Sequence, residues 1–178
     1  QGVPVLTAEE GPGALATCSR YSKQSFSYPS PRLHPERFIE VLTDLVKEQH
    51  IDMLLPMTEL TTTLLLTHQD AFPGTIMPFP ELSQVEKLAN KCTLMRTAES
   101  LGLPVPRTWY VDNPANPPHL PDTLSFPAVL KPGKSWLQLQ DQWQRAAVRF
   151  PTNQLILKNI IDSEPAFQTH PYMIQECV

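Results

Sequence analysis

Lys131 and Lys134 stand close together in FPAVLKPGKS (residues 126–135), directly after five mostly apolar residues. A lysine in that place can act as a point cation for phosphate oxygens, because its ammonium is compact and its stem flexible. It can equally be the wet end of a buried strand, with the stem packed and the amine in water. Lys91 adds a third ammonium at the front of NKCTLMRTAESLGLPVPRT, a stretch that reads as a helix followed by a Gly-x-Pro-x-Pro turn. Ser135, beside Lys134, adds a hydroxyl.

Other residues offer weaker chemistry. Glu59, after the apolar IDMLLPMT, could face a ligand at the carboxyl end of an open α/β sheet. It could as well be a first-turn helix glutamate favoured by the macrodipole. Arg20 and Tyr21 could hold a substrate, or be a solvated polar loop. The five histidines share no ligand spacing, so no metal is assigned within the chain; His50 and His68 fit the C-terminal turns of helices. Cys18, Cys92 and Cys177 are widely spaced and odd in number, which disfavours zinc or a disulfide framework and makes reduced thiols the expectation. Nucleotide loops of the G-x-G-x-x-G or P-loop kind and the G-x-S-x-G elbow are absent. Trp109, Trp136 and Trp143 read as packing residues.

These residues need elements to position them. The chain has 178 residues, 41% of them apolar and 18% charged, an ordinary globular composition. Its net charge of −4 argues against a general nucleic-acid or anionic-membrane surface. No apolar run approaches the ~20 residues that span a bilayer. The first residues lack the basic and apolar regions of a signal peptide, so a cytoplasmic location is expected. The 20 prolines cluster between elements and punctuate them.

The periodicity predicts strands at Val3–Thr7 and Ser25–Tyr28, around a Gly/Pro loop. A helix from Pro35 follows, with Phe38, Ile39, Val41, Leu42, Leu45 and Val46 at helical spacing. A buried strand IDMLLP, a helix over 61–71 and a short strand TIMPFP complete an α/β alternation of the parallel-sheet type. From about residue 80 a second unit is predicted. Its elements are a helix from Leu82 to Leu101 (N-cap Ser83, stop Gly102), strands LPVPRTWYV and FPAVLK, a helix from Leu137 to Phe150, and strands QLILKNI and YMIQECV. Strands so near both ends lead to the expectation that the chain is clipped at each.

The order of Lys-bearing helix, Gly-x-Pro-x-Pro turn, Lys-terminated strand and Glu-bearing strand resembles the nucleotide-binding half of the ATP-grasp superfamily, which includes carboxylate–amine ligases and carbamoyl-phosphate synthetase. IDMLLPMTE and CSRYSKQSFSYPSP resemble the domain that precedes the grasp. The resemblance implies an α/β fold in which residues 1–80 are a Rossmann-like pre-ATP-grasp domain lacking its first strand. Residues 81–178 would be the first lobe of the grasp, truncated at its C-terminus. It implies an ATP- and magnesium-dependent ligase that activates a carboxylate as an acyl phosphate for attack by an amine or thiol.

Lys91 and Lys131 would contact phosphates, with Lys134 and Ser135 as further donors. Glu176 O and Val178 N would meet adenine, with the Gln175 side chain beside its amino group, where many relatives carry a carboxylate. PGKSWLQLQ departs from the family's Gly-rich loop in having a single glycine. The catalytic groups and magnesium ligands are expected beyond Val178, so the piece alone is expected to be inactive. Partners would be ATP and small-molecule carboxylates and amines, with a homodimer left open. Two alternatives stay in view: a non-catalytic nucleotide-binding or regulatory module, and a Rossmann-like dinucleotide or sugar-nucleotide binder.

Overall fold

A computed structural model describes residues 2–11, 15–120, 124–139 and 142–178. The chain divides into two compact units, Gln1–Leu82 and Ser83–Val178.

In the first unit, strands β1 (Val5–Glu10) and β2 (Ser22–Tyr28) pair in parallel, with Leu6 opposite Gln24 and Glu10 opposite Tyr28. Between them lies a 3-10 turn at Leu15–Cys18. Helix α1 (Pro35–Glu48) starts on a proline, whose missing N–H costs nothing in a first turn, and buries Phe38, Ile39, Leu42 and Val46 along one stripe. Phe38 meets Tyr28 edge to face, ring centroids 4.9 Å apart. The helix ends in a Schellman pattern: Ile51 N donates to Val46 O (3.0 Å) and His50 N to Lys47 O (3.4 Å). His50 takes the left-handed position there, with φ 51°.

Helix α2 (Glu59–Thr67) tolerates Thr61, Thr62 and Thr67 because their hydroxyls donate back to main-chain carbonyls. Thr58 caps it by accepting from Thr61 N, and Thr62 Oγ1 donates back to Thr58 O at 2.8 Å. The two predicted strands IDMLLP and TIMPFP do not form strands. They are extended pieces that meet at one parallel bridge, Met53 to Ile76, where Leu54 N donates to Ile76 O and Ile76 N to Asp52 O.

In the second unit the predicted helix Leu82–Leu101 is two helices, α3 (Leu82–Ala89) and α4 (Lys91–Ser100). Asn90 divides them. It leaves the helical conformation and its Oδ1 accepts from Cys92 N and Thr93 N, the N-cap role for which asparagine is favoured. Ser83 therefore lies inside α3 and is not its cap. Helix α4 stops at a second Schellman pattern, with Gly102 at φ 71° and Leu103 N donating to Ala98 O at 3.0 Å.

The sheet that follows has β7 (Tyr172–Glu176) at its centre, antiparallel to both β3 (Thr108–Val111) and β4 (Ala128–Pro132). Residues 149–151 run along the outer edge of β4: Arg149 and Leu130 exchange N–H donors, and Ala128 N donates to Pro151 O.

Two predictions made from apolar content fail here. Strands β5 (Trp136–Leu139) and β6 (Gln142–Arg145) pair antiparallel where a helix from Leu137 to Phe150 was expected. QLILKNI belongs to helix α5 (Gln154–Ser163), not to a strand; Asn153 Oδ1 accepts from Ile156 N and starts it, and Leu157 is its buried residue. A short helix α6 (Pro165–Thr169) leads into β7. One face of the sheet, carrying Val111, Ala128, Leu130, Tyr172 and Ile174, packs on Leu157 and Phe167 as the core.

Candidate functional site

Because successive strand residues point to opposite faces, the polar candidates separate from the core by register alone. Leu130 and Ile174 are cross-strand partners on the core face; Val129 faces Gln175, and Lys131 faces Met173, on the other. On that second face Lys131 Nζ donates to Gln175 Oε1 at 2.6 Å, and Gln175 Nε2 donates to Thr108 Oγ1 at 2.9 Å. Gln175 is only 1% exposed, so its amide is held by the protein at both ends. The structure thus brings together two candidates that the sequence places 44 residues apart. Thr108 was missed by sequence reasoning; its only signal was its place in a strand, with nothing to say which strand it would pair with.

The second cluster begins at Asn90. By capping α4 it puts Lys91 at the first helical position, where Lys91 N donates to Gly133 O at 2.7 Å. A cation at a helix N-terminus runs against the macrodipole, so local helix stability does not explain this lysine. Its Nζ donates to Ser135 Oγ at 2.8 Å. The two residues share a cleft of about 410 Å³ with Pro132, Arg145, Ala146, Ala147 and Val148. Arg145 is a further cation that the sequence reading passed over, because it sat inside the stretch read as a helix.

Helix α4 is fixed over this region by more than its cap. Arg96 makes two hydrogen bonds to Asp112, at 2.8 and 2.7 Å, with its guanidinium carbon 4.2 Å from the Tyr110 ring centroid. The Arg96 hydrogen bonds hold the Asp112 carboxyl below its ordinary range. Burial, with the Glu99 carboxylate adding to it, pushes the Tyr110 phenol up to about 12. Cys92 is 2% exposed, and burial raises its thiol pKa against the opposing charge of Arg96.

Gly133 ties the start of α4 to the residue before β7. Its N–H donates to Pro171 O at 2.9 Å while its carbonyl accepts from Lys91. A Cβ there would stand 3.1 Å from Pro171 O and 3.4 Å from Asn90 Oδ1.

The remaining candidates lie elsewhere. Lys134 turns to α3, its Nζ 2.9 Å from Glu86 Oε1 in an exposed ion pair. Glu176 lies on the core-facing side at the strand end; its N–H donates to Arg107 O at 3.0 Å and its carboxylate is 3.7 Å from Arg107 Nη1. Val178 is fully exposed. In the first unit Glu59 opens α2 directly after its cap, the place the macrodipole favours. Arg20 Nη2 donates to the Tyr21 hydroxyl at 2.8 Å, with Tyr21 73% exposed. Among the described residues no group of three or more His, Cys, Asp or Glu could hold a metal, and no helix is long and apolar enough to cross a membrane.

No family model and no curated protein sequence matches the chain. Solved structures do. An L-amino acid ligase from Bacillus licheniformis superposes with a TM-score of 0.64 at 14% identity, covering 97% of this chain and 38% of its own. A D-alanine–D-alanine ligase from Bacillus anthracis complexed with ATP gives 0.60 at 13%, over 100% of this chain and 58% of its own. A biotin carboxylase from Campylobacter jejuni gives 0.58 at 10%, over 89% and 36%. These neighbours are ATP-grasp ligases, and the α/β fold of this chain is one found within them. The chain spans 36–58% of these neighbours' lengths.

Proposed function

We propose that the chain supplies part of the ATP site of an ATP-dependent ligase, one that activates a carboxylate as an acyl phosphate for attack by an amine or thiol. The observation that carries this reading is the Lys131–Gln175 pair at 2.6 Å; Pro132, which follows Lys131 in β4, lines the cleft that also bears Lys91, Ser135 and Arg145. It occurs in a fold whose solved examples include ligases complexed with ATP or ADP.

In this reading Lys131 and Lys91 are point cations for the phosphates, whose charge is the main thing the protein must stabilise in phosphoryl transfer. Lys134 is a reserve donor, reached only by leaving Glu86, and an exposed ion pair of that kind holds it by about 1 kcal/mol or less. Beyond Gln175, the backbone at Glu176 O and Val178 N would meet the adenine edge. Magnesium, when bound, would supply further positive charge against the phosphates. The described residues form no cluster to hold it, so this chain's part is charge and position. Glu59, Arg20 and Tyr21 are weaker proposals for substrate contact, each with a local structural role that already accounts for it.

Calorimetric titration of ATP with magnesium into the full-length protein tests the proposal, with Lys131→Ala alongside. Loss of a charge-assisted hydrogen bond should weaken binding at least about tenfold. Water can replace the ammonium at Gln175 Oε1, so the melting temperature should fall by only a few degrees, about 2–4 °C per kcal/mol at this size. Equal affinity in both proteins would remove Lys131 from the site, and a large loss of stability would make it a structural lysine.

A second reading, a nucleotide-binding module without catalysis, is favoured by Gly133. Both its peptide groups are already bonded within the protein, so the turn after β4 offers no free backbone cradle at that residue. Binding of ATP without phosphoryl transfer to any acid would support it.

A further inference from the structure

The enclosed amide of Gln175 has a defined direction, and a single hydroxyl sets it. Thr108 Oγ1 donates its one hydrogen to Pro106 O at 2.7 Å. With that hydrogen engaged, Oγ1 meets Gln175 as an acceptor only, and an acceptor selects the NH2 end of an amide. Nε2 therefore turns to Thr108 at 2.9 Å, which leaves Oε1 for Lys131 at 2.6 Å. The reverse orientation would set an NH2 against an ammonium, donor against donor.

We propose that Thr108 is a positioning residue for the nucleotide site: by accepting from Gln175 Nε2 it aims Oε1 at Lys131 and so holds the lysine ammonium in place. The inference rests on the nucleotide reading given above. It also accounts for glutamine at this position. A carboxylate would turn an acceptor oxygen towards Thr108 Oγ1, and the hydroxyl could serve it only by releasing Pro106 O. A carboxylate would also offset the lysine's charge, whereas a neutral amide fixes the ammonium and leaves that charge for phosphate. Thr108, Gln175 and Lys131 lie on three strands of one sheet, β3, β7 and β4, so these three are held by strand register, while Pro106 stands two residues before Thr108 in the segment that leads into β3.

A double-mutant cycle on the full-length protein separates positioning from general support of the fold. In the wild-type background Thr108→Val, which keeps the shape and removes the acceptor, should weaken ATP binding about tenfold, the scale of one lost hydrogen bond. Thr108→Ser should restore it. In the Lys131→Ala background Thr108→Val should change affinity less than about twofold, since the group it positions is gone. Equal losses in both backgrounds, or no loss in the first, would overturn the role of Thr108.

Hydrogen exchange at the Gln175 side-chain amide reads the relay without nucleotide. It should be slow in the wild type and Thr108→Ser, and fast in Thr108→Val. Unchanged exchange in Thr108→Val would show that the hydroxyl does not hold the amide. A wild type with a protected amide that binds no ATP would overturn the nucleotide reading, and the positioning role with it.

Discussion

Gly133 shows how a residue's meaning can be misjudged from its neighbours in sequence. In PGKSWLQLQ a lone glycine reads as a poor version of a flexible phosphate loop. In the structure it is where two backbones nearly touch: it donates to Pro171, accepts from Lys91, and has only 3.1 Å between a notional Cβ and the Pro171 carbonyl. Gly133→Ala should therefore destabilise by overpacking, on the order of 1–3 kcal/mol, read as a lowered midpoint in chemical denaturation. An unchanged midpoint would mean that the 171–172 peptide yields easily. The lysines were legible because charge after an apolar run is conspicuous in a sequence. Thr108 and Arg145 were not, because what marks them is a cross-strand partner or a shared cleft, and neither exists until the strands are paired.

At the scale of elements, the two Schellman turns make a natural comparison. Helix α4 ends on Gly102 at φ 71°, and α1 ends on His50 at φ 51° with the same pair of backbone bonds. A left-handed conformation costs a residue with a Cβ roughly 1–2 kcal/mol and glycine almost nothing. His50→Gly should consequently raise the thermal midpoint and Gly102→Val should lower it, each by a few degrees. Matching shifts of one sign in both variants would show that these turns do not carry the strain. Helix stops of this kind could be read directly from GLP after a helical pattern.

Helix–strand choices fared less well. LQLQDQWQR alternates with the period of a strand, yet its leucines and tryptophans also suit a helix. QLILKNI is apolar enough for a buried strand, and only Asn153 before it marks a helix start. In both stretches the deciding contact is tertiary: Leu137 is buried in β5, and Leu157 is buried against the sheet. Periodicity over stretches this short cannot report that.

For the molecule as a whole, the order of elements carried more information than any of them singly. Two elements of the second unit were assigned to the wrong type, yet the fold matches ATP-grasp ligases over nearly the full chain at 10–14% identity. A lysine-bearing helix, a lysine-ended strand and a final polar-edged strand survive those errors because their separation along the chain fixes which edges can meet. The three cysteines add something of a different kind. Cys18 and Cys177 are exposed, whereas Cys92 is enclosed beneath the start of α4, close to Gly133, with its thiol pushed towards the unreactive protonated form. Under native conditions a thiol-specific reagent should label two sites quickly and the third slowly, and mass spectrometry of timed aliquots would resolve them. Three equal rates would contradict the enclosure. The rate at the slow site would measure how firmly the start of α4 is closed against the turn that follows Lys131.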